Sequence, residues 1–341
     1  MTELEPNVGE PVSAIRRRLP LLGIATGVNA ALLLILWVLE GSIAERLRFL
    51  VWITYVPQQP IGIPLLILLL WSLLARQWRI VLANTAVGAA FLLTFLGFNI
   101  PMGGAGHSAS SSFRLMTLNT RVGINGVDKI VRLVESQSPD ILCLQETRGW
   151  RNNPDPLQPI LRRLPGWNME RAGDVATLSR HPIERVTSYP MLPLMDRSAL
   201  QTTIRLPQGA VTILNVHYNT NYRRRPEPNR PGLPRLSLRA LARWEQTSVV
   251  LNASDSVAGP RIVAGDFNNP PRGLTYGRLR ERFTDSFRAA GWGFGYTFRS
   301  DLPLMRIDYI FTSPEIGVAG CRSLDSDASD HRAVVADLQL P

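Results

Sequence analysis

The pattern of hydrophobic and polar positions divides the chain into two unlike parts. Within the first hundred residues, three stretches carry no charged side chain: residues 19–39, 49–75 and 80–100. Each reaches the roughly 20 residues that an apolar helix needs to cross the hydrocarbon core of a bilayer. Buried helices of soluble proteins rarely run so far without a charge, so the pattern predicts three transmembrane helices. Prolines at 57, 60 and 64 predict that the second is kinked or begins in the interface.

Arginines flank these stretches unevenly. Five lie before the first stretch or between the second and third: Arg16, Arg17, Arg18, Arg76 and Arg79. Arg46 and Arg48 lie between the first and second and weaken the contrast. Because cytoplasmic loops are enriched in arginine and lysine, the bias predicts a multi-pass inner-membrane protein with a cytoplasmic N-terminal tail, residues 1–18. Three crossings within an anchor at 19–100 then place the rest of the chain outside the cytoplasm.

Beyond the predicted anchor the pattern becomes that of a globular protein. Residues 101–112 are small and polar and predict a linker. From residue 113 to 341, short apolar runs alternate with amphipathic segments, of which 127–138 and 234–251 have the period of helices. The apolar runs, which predict strands, are 114–118, 141–144, 211–216, 262–264 and 333–336. Strands mixed with helices predict one α/β domain.

Composition adds two observations. Residues 113–341 hold 30 basic and 22 acidic side chains, so +8 of the formal net charge of +10 lies in this domain. A basic surface suits an anionic partner such as nucleic acid, lipid headgroups or phosphate esters, but it equally serves solubility. The two cysteines, Cys143 and Cys321, make no disulfide framework, and the apolar run around Cys143 indicates a small core residue.

Four of the apolar runs end in polar residues, and the fifth, 333–336, begins just after Asp330 and His331. Gathered at one rim of a sheet, these polar side chains would make a site. They supply carboxylates, carboxamides and imidazoles: Asn119, Glu146, His217, Asp266, Asn268, Asp330 and His331. Oxygen donors from few side chains, with positions left for water and substrate, suit Mg²⁺, with Mn²⁺ as the alternative ion. Such an ion activates water and stabilises charge on a phosphoryl group, and a histidine titrates near neutral pH.

The segment 265–271 allows two interpretations, catalytic or structural. A strand-like run ends there in Asp266, Phe267 and Asn268, and two prolines follow one residue later. In an extended segment alternate side chains share a face, so Asp266 and Asn268 would point together while Phe267 enters the core. A solvated turn explains the same residues, since Asp, Asn, Gly and Pro are the common turn formers.

The order of the motifs resembles the endonuclease/exonuclease/phosphatase superfamily over residues 113–340. The matching motifs are Leu-Asn-Thr-Arg, Leu-Gln-Glu-Thr, Asn-Val-His-Tyr-Asn, Gly-Asp-Phe-Asn, Ile-Asp-Tyr-Ile-Phe and Ser-Asp-His-Arg, and residues 174–183 resemble a further family segment. Each is weak alone, whereas six in order are specific. The family includes pancreatic-type deoxyribonucleases, abasic-site endonucleases, neutral sphingomyelinases and inositol polyphosphate 5-phosphatases. The resemblance implies an α/β fold of four layers, a β-sandwich flanked by helices, with the site at one rim.

The resemblance also implies a role for each matching position. Glu146 corresponds to the principal metal ligand, Asn119 to an asparagine beside that metal and the phosphate, and Asp330 to an acid that in some members reaches a metal. Asp266 corresponds to the group that orients or deprotonates the attacking water, and Asn268 to the amide that steadies it. The remaining matches are His331 on the scissile phosphate, Asp308 orienting His331, His217 on the phosphate or leaving group, and Arg197 on the phosphate.

One position departs from the pattern of some members. Arg121 stands two residues after Asn119, where those members carry an acid. A second metal ligand is therefore missing there, which favours a one-metal site. The basic run 222–225 has two interpretations, a solvated loop or a clamp on an anionic substrate.

These observations predict a membrane-anchored, Mg²⁺-dependent phosphoesterase acting on nucleic acid or on a phospholipid or inositol phosphate, with no protein partner. The alternative is a catalytically idle domain that recruits an anionic partner to the membrane. Retention of the acid, amide and histidine set argues against that alternative. A transporter-like role for the apolar stretches is disfavoured because they contain no charge that would mark an ion path.

Overall fold

The computed structural model describes residues 11–47, 49–101, 112–149, 155–192, 197–220 and 232–341. The predicted linker lies almost wholly outside these residues, as does the basic run 222–225. The described chain forms two compact units. One contains residues up to Leu39 together with Gln58–Gly97, and the other contains Glu40–Pro57 together with the chain from Phe98 onward.

The first unit is helical. It contains most of α1 (Pro11–Ser42), then α3 (Ile63–Leu74), which follows a 3₁₀ turn at Gln59–Gly62, and α4 (Trp78–Thr94). A small buried cluster joins the three helices: Leu33, Leu65, Phe91 and Phe95. The buried Asn84 Nδ2 donates a hydrogen bond of 3.2 Å to Thr26 Oγ1, so α4 and α1 are also joined by a polar contact.

The prediction of three transmembrane helices is not supported. Only Leu21–Ser42, with 22 residues and a mean hydropathy of 2.2, is long and apolar enough among the described residues to cross a membrane. Gln59–Leu74 and Trp78–Thr94 are shorter apolar helices. Residues 11–18, predicted as part of a tail, continue α1 as helix.

The predicted second span, residues 49–75, is not one helix. A separate short helix, α2 (Val51–Tyr55), precedes Pro57 and belongs to the second unit, where Val51 and Tyr55 are buried. The chain is extended at Val56, and proline favours this conformation in the residue before it. Absence of charge alone therefore misassigned residues 49–57, where Val51, Ile53 and Tyr55 are buried in protein and Phe49 and Trp52 are exposed.

The second unit contains two six-stranded sheets. The first has the order β11-β12-β1-β2-β4-β3. Its strands are β1 (Ser112–Asn119), β2 (Ile141–Gln145), β3 (Asn168–Ala172), β4 (Val175–Ser179), β11 (Gly317–Ser323) and β12 (Val334–Gln339). The second has the order β5-β6-β7-β8-β10-β9. Its strands are β5 (Ile183–Pro190), β6 (Ser198–Leu206), β7 (Gly209–His217), β8 (Arg261–Asp266), β9 (Thr284–Asp285) and β10 (Asp308–Thr312).

Alternation along the central strands builds the layers. Leu115 and Ile141 belong to the core between the sheets, with Ile213 and Ile262 opposite them. Neighbouring positions face outward, where Met116 and Leu142 pack against α5 (Val127–Gln137) and α6 (Leu157–Arg163). On the other side, the outward residues of the second sheet pack against α7 (Gly232–Asp255) and α8 (Gly273–Arg280). The short helix α9 (Ser286–Ala290) lies beside β11. The predicted α/β sandwich is confirmed, and Cys143 is a core residue.

The directions of the strands bring the polar residues at their ends to the same rim of the two sheets. β1 and β2 are parallel, as are β7 and β8, and the register pairs Asn119 with Gln145 and His217 with Asp266. β10 runs antiparallel to β8, so its first residue, Asp308, pairs with Asp266. β12 is antiparallel to β1, and its start therefore reaches the same rim.

Candidate active site

Asp266 is the centre of the polar group at this rim. It is almost completely buried. Its Oδ2 accepts a 3.0 Å hydrogen bond from Asn119 Nδ2 and lies 3.5 Å from His217 Nε2 and 3.9 Å from His331 Nε2. Burial and the neighbouring carboxylate of Asp308 raise the pKa of Asp266, although the two histidines oppose the shift. A carboxylate with a raised pKa is a stronger base, as proton abstraction from water requires.

The backbone at Gly265 and Asn268 explains how the chain turns here. A Cβ at Gly265 would lie 2.0 Å from the carbonyl oxygen of Val216, and φ is +143°, so only glycine lets β8 approach β7 this closely. Asn268 has φ of +48°, its N–H donates to Asp266 Oδ1 at 2.8 Å, and its Nδ2 donates to the carbonyl of Tyr218. The extended arrangement expected for Asp266 and Asn268 is wrong. They are joined by an aspartate turn, while Phe267 is buried as predicted.

One histidine–aspartate pair lies on the His331 side of Asp266. His331 Nδ1 is 3.0 Å from Asp308 Oδ2, and both residues are buried. Burial alone would lower the pKa of His331, but the carboxylates of Asp308 and Asp266 outweigh it and raise that pKa to about 10. The ring is therefore an imidazolium at neutral pH.

A second pair lies on the His217 side. His217 Nδ1 is 2.8 Å from Asp174 Oδ2 and 2.6 Å from Arg197 Nη1, and Arg197 also contacts Asp174. Burial would raise the pKa of Asp174, but His217 and Arg197 hold it at about 2. The predicted role of Arg197 on the phosphate stays a prediction. Its observed contacts are those of a group that orients His217 and neutralises Asp174.

Oxygen donors suited to a metal converge beside these pairs. Glu146 Oε1 lies 4.0 Å from His217 Nε2, the same nitrogen that approaches Asp266, and about a third of the Glu146 side chain is exposed. Asn119 Oδ1 accepts from Arg121 N–H and keeps a second lone pair. Glu146 has φ of +53°, an uncommon conformation for a non-glycine residue. These hard oxygen donors fit Mg²⁺.

Two further groups of acidic residues at this rim are candidate metal ligands: Asp330, and the cluster around Asp266. Asp330 Oδ2 forms an ion pair of 3.3 Å with Arg121 Nε, so the arginine at the departing position neutralises this predicted ligand. Asp266, Asp308 and His331 offer ligand atoms within 4.8 Å of one another. Because His331 Nδ1 and Asp308 already pair with each other, we interpret this cluster as candidate acid–base machinery. The assignment of Glu146 as the metal ligand stays a prediction.

Three contributing residues were not assigned by sequence reasoning. Asp174 orients His217, although only its segment was recognised. Asn215 Oδ1 accepts from Gln145 Nε2 at 2.8 Å and its Nδ2 donates to the carbonyl of Ala176, so it joins the sheets beneath the rim. Its place inside the Asn-Val-His motif was the available signal. Asn269 is a third, and its contacts are described below.

The sequence profile of the Endonuclease/Exonuclease/phosphatase family matches residues 116–331. The chain belongs to this family. Among curated protein sequences, none is significantly similar to it. Solved structures of the endonuclease/exonuclease/phosphatase fold are similar at low identity, which shows the shared fold alone.

Three of these structures illustrate the range. The endonuclease/exonuclease/phosphatase from Beutenbergia cavernae DSM 12333 is 21% identical, with a TM-score of 0.54, over 67% of this chain and 72% of that one. The mannosyl-6-phosphatase Bt3783 of Bacteroides thetaiotaomicron VPI-5482 is 17% identical, with a TM-score of 0.54, over 66% and 99%. D. rerio TDP2 complexed with single strand DNA product is 14% identical, with a TM-score of 0.53, over 67% and 99%. The solved structures that share this fold thus include a mannosyl-6-phosphatase and a protein complexed with a single-stranded DNA product.

Proposed function

We propose that this protein is a divalent-metal-dependent phosphoesterase that hydrolyses a phosphodiester or phosphomonoester by in-line attack of water. The supporting observation is the convergence of two histidine–aspartate pairs on the buried carboxylate of Asp266, with Glu146 beside them. This arrangement combines a base, a cation and a metal-binding oxygen within one rim, which suits phosphoryl transfer.

Each residue has a distinct part in the proposed reaction. Asp266 accepts a proton from the attacking water, and Asn119 and Asn268 hold its carboxylate in place. The His331 imidazolium stabilises charge on the phosphoryl oxygens. His217 protonates or steadies the leaving group, positioned by Asp174 and Arg197.

Glu146 and Asn119 would hold one Mg²⁺ or Mn²⁺ ion. When bound, the ion supplies charge for the phosphoryl oxygens and a lower pKa for water. Arg121 already satisfies Asp330, which favours one metal over two.

We propose further that the enzyme is held at a membrane by Leu21–Ser42. The chain leaves the catalytic unit after Pro57 and returns to it at Phe98. Because a folded unit lies on one side of a bilayer, the intervening helices cross twice or not at all. Both alternatives leave the total number of crossings odd, which is consistent with a cytoplasmic N-terminus and an extracytoplasmic site. Labelling of a cysteine introduced at Gln77, between α3 and α4, from each side of the membrane separates the two.

The substrate class is an anionic phosphate ester, from nucleic acid or from a lipid headgroup. Phe49 is 81% exposed and Trp52 44% exposed, on the catalytic unit close to the end of α1. Aromatic side chains favour the membrane interface, so these residues support a lipid phosphate ester.

A substrate screen with the full-length protein in detergent and in vesicles tests the proposal. Plasmid DNA, RNA, sphingomyelin vesicles, anionic phospholipid vesicles and inositol phosphates are incubated with Mg²⁺, Mn²⁺ or EDTA. We expect metal-dependent hydrolysis of one class, abolished in Asp266→Ala and Glu146→Ala. Binding without hydrolysis of any of them would support the recruiting domain instead.

A further inference from the structure

The segment Glu40–Pro57 precedes the recognised domain by more than fifty residues, yet it belongs to the catalytic unit. It is not merely adjacent to that unit. Val51 and Tyr55 are buried together with Ala240 of α7, and Ala44 is fully buried. The segment packs against the face of the unit that carries the continuation of the catalytic turn, residues 269–275.

Tyr55 contacts the residue that follows Asn268. Its hydroxyl, which carries one hydrogen, lies 2.9 Å from Asn269 Oδ1 and 3.1 Å from Glu45 Oε1. The carbonyl of Asn269 accepts from Tyr309 Oη at 2.8 Å, so both ends of this buried asparagine are fixed. Arg243, fully buried, stacks 4.2 Å above the Tyr55 ring and donates to the carbonyl of Asn219. Tyr55 thus contacts the turn after Asp266 directly and the residue two positions after His217 through Arg243.

Glu45 completes α8. Arg272 occupies the N-cap position of α8, but its side chain makes no capping hydrogen bond. Glu45 Oε2 instead accepts from the backbone N–H of Thr275 at 2.9 Å and from its hydroxyl at 2.8 Å. A carboxylate at a helix N-terminus satisfies a free N–H and favours the helix dipole. Gly273 leaves room for it, because a Cβ there would lie 2.3 Å from Glu45 Oε1.

Arg272 joins the start of α8 to the segment Glu40–Pro57. Its Nε donates to the carbonyl of Thr54 and its Nη2 to that of Val56, each at 2.9 Å. Its Nε also lies 3.0 Å from the buried carboxylate of Glu40. Apart from the Tyr309 bond to Asn269, the contacts described here from Asn269, Arg272 and Thr275 are therefore made to residues 40–56, far away in sequence.

We propose that Glu40–Pro57 is a component of the active site in which Tyr55 is a positioning residue, holding Asn269 and hence the turn that carries Asp266 and Asn268. The inference rests on the proposed hydrolytic function of that site. Asn268 has a left-handed backbone conformation, which is costly unless its surroundings impose it. Tyr55, Tyr309 and Arg272 are the groups that fix the chain immediately after it.

The test is the variant Tyr55→Phe in the full-length protein, which removes one hydroxyl and keeps the ring. Tyr189→Phe is the matched control, since Tyr189 Oη also donates to a carboxamide oxygen at 2.9 Å, that of Gln201 on β6. We expect kcat per folded molecule to fall about tenfold in Tyr55→Phe with KM unchanged, the lower end of the losses seen when outer partners of metal sites are removed. Tyr189→Phe keeps the wild-type kcat.

A purely structural role predicts another result. Tyr55→Phe would then lower the melting temperature and the folded yield, and kcat per folded molecule would stay at the wild-type value. That outcome overturns the proposal. Asn269 supplies a second comparison: Asn269→Leu removes the acceptor of the Tyr55 hydroxyl and should lose as much of kcat as Tyr55→Phe. In the double variant Tyr55→Phe/Asn269→Leu the losses do not add, because both changes remove one interaction.

A measurement independent of turnover separates this proposal from the proposed function. Hydrogen exchange of the amides of residues 267–275 is followed in the full-length wild type, Tyr55→Phe and Tyr189→Phe. We expect faster exchange there in Tyr55→Phe alone. If the wild type hydrolyses no phosphate ester but exchange rises as expected, the function fails and the positioning of the turn stands. Unchanged exchange in Tyr55→Phe overturns the positioning role whether or not the protein is an enzyme.

Discussion

The histidines of the two histidine–aspartate pairs approach the same carboxylate from different sheets, and they differ in their third partner. His331 precedes β12 of the first sheet and lies between the carboxylates of Asp308 and Asp266. His217 ends β7 of the second sheet and has both Asp174 and the guanidinium of Arg197 at its Nδ1. Both Nε2 atoms lie within 4 Å of Asp266 Oδ2.

In the proposed reaction, these different surroundings suit the two imidazole rings to two different roles. Two carboxylates hold His331 as a cation, which suits stabilisation of a phosphoryl group. At His217 the charges of Asp174 and Arg197 oppose each other, so the ring is oriented without a net charge from those two neighbours. The third partner, more than the histidine itself, distinguishes the two sides of the site.

Removing the shared carboxylate is expected to have the largest effect. Asp266→Ala should lower kcat by on the order of 10⁴-fold, since both pairs lose their common partner and water loses its base. Asp255→Ala is the control, because Asp255 forms only an exposed ion pair with Arg282. A loss of less than about tenfold in steady-state hydrolysis by Asp266→Ala would exclude Asp266 as the base.

The loss of rate in the two histidine variants should depend differently on the leaving group of the substrate. His217→Ala and His331→Ala should each cost about 10²- to 10³-fold with a poor, alkyl leaving group. With an activated nitrophenyl ester the loss in His217→Ala should shrink, because that leaving group needs no proton, while the loss in His331→Ala should stay. Rates for a leaving-group series measure this. Equal dependence in both variants would mean that the two pairs share one role.

The aspartates should have smaller effects that differ with pH. Asp308→Asn should cost about 10- to 100-fold and Asp174→Asn a similar amount, as for other orienting partners. The pKa of His331 is raised to about 10, so activity that needs its cation is present below that pH and lost above it. Asp308→Asn removes a carboxylate that raises this pKa, so the alkaline limb of the kcat/KM profile should move to lower pH. The limb should not move in Asp174→Asn.

The same shift contributes to folding. Because the folded pKa of His331 lies above the ordinary value of 6.5, the stabilisation is complete below pH 6.5 and is lost as the pH rises through about 10. The free energy of unfolding of Asp308→Asn, measured by denaturant titration, should therefore depend less on pH over this interval than that of the wild type.

The smallest effect is expected for the ion pair between Arg121 and Asp330, which lies outside both histidine–aspartate pairs. Arg121→Asp should leave kcat within a few-fold in saturating Mg²⁺, because Arg121 contacts Asp330 and neither histidine. Calorimetric titration should show one Mg²⁺ bound per wild-type chain and a second, weaker ion in the variant. A second ion already present in the wild type would contradict the one-metal site.

Much of the catalytic fold follows from local patterns. Alternating apolar runs predicted the central strands, and helical periodicity predicted α5 and α7, since burial on one face sets both periods. The three-span prediction failed because it counted uncharged residues alone. An apolar segment such as Val51–Tyr55 reads identically whether its surroundings are lipid or protein.

Only some of the residues at the candidate site could be predicted from the sequence. Asp266, His331 and Asp308 lie together as expected, because strand direction brings strand ends to one rim. Neither Asp174 nor Asn269 was assigned a role. Their importance comes from partners 43 and 214 positions away, and no local pattern encodes such distances.

The Tyr55–Asn269 contact also bears on how the enzyme matures. It joins positions 214 residues apart, and contacts of that separation form late in folding. Synthesis delivers Glu40–Pro57 early, next to the apolar helix that ends at Ser42, and the turn that needs it emerges long afterwards. Completion of the site is thus expected to wait until both segments reach the same compartment. If the proposed membrane anchoring holds, a chain whose two segments ended on opposite sides of the bilayer would lack the Tyr55–Asn269 contact.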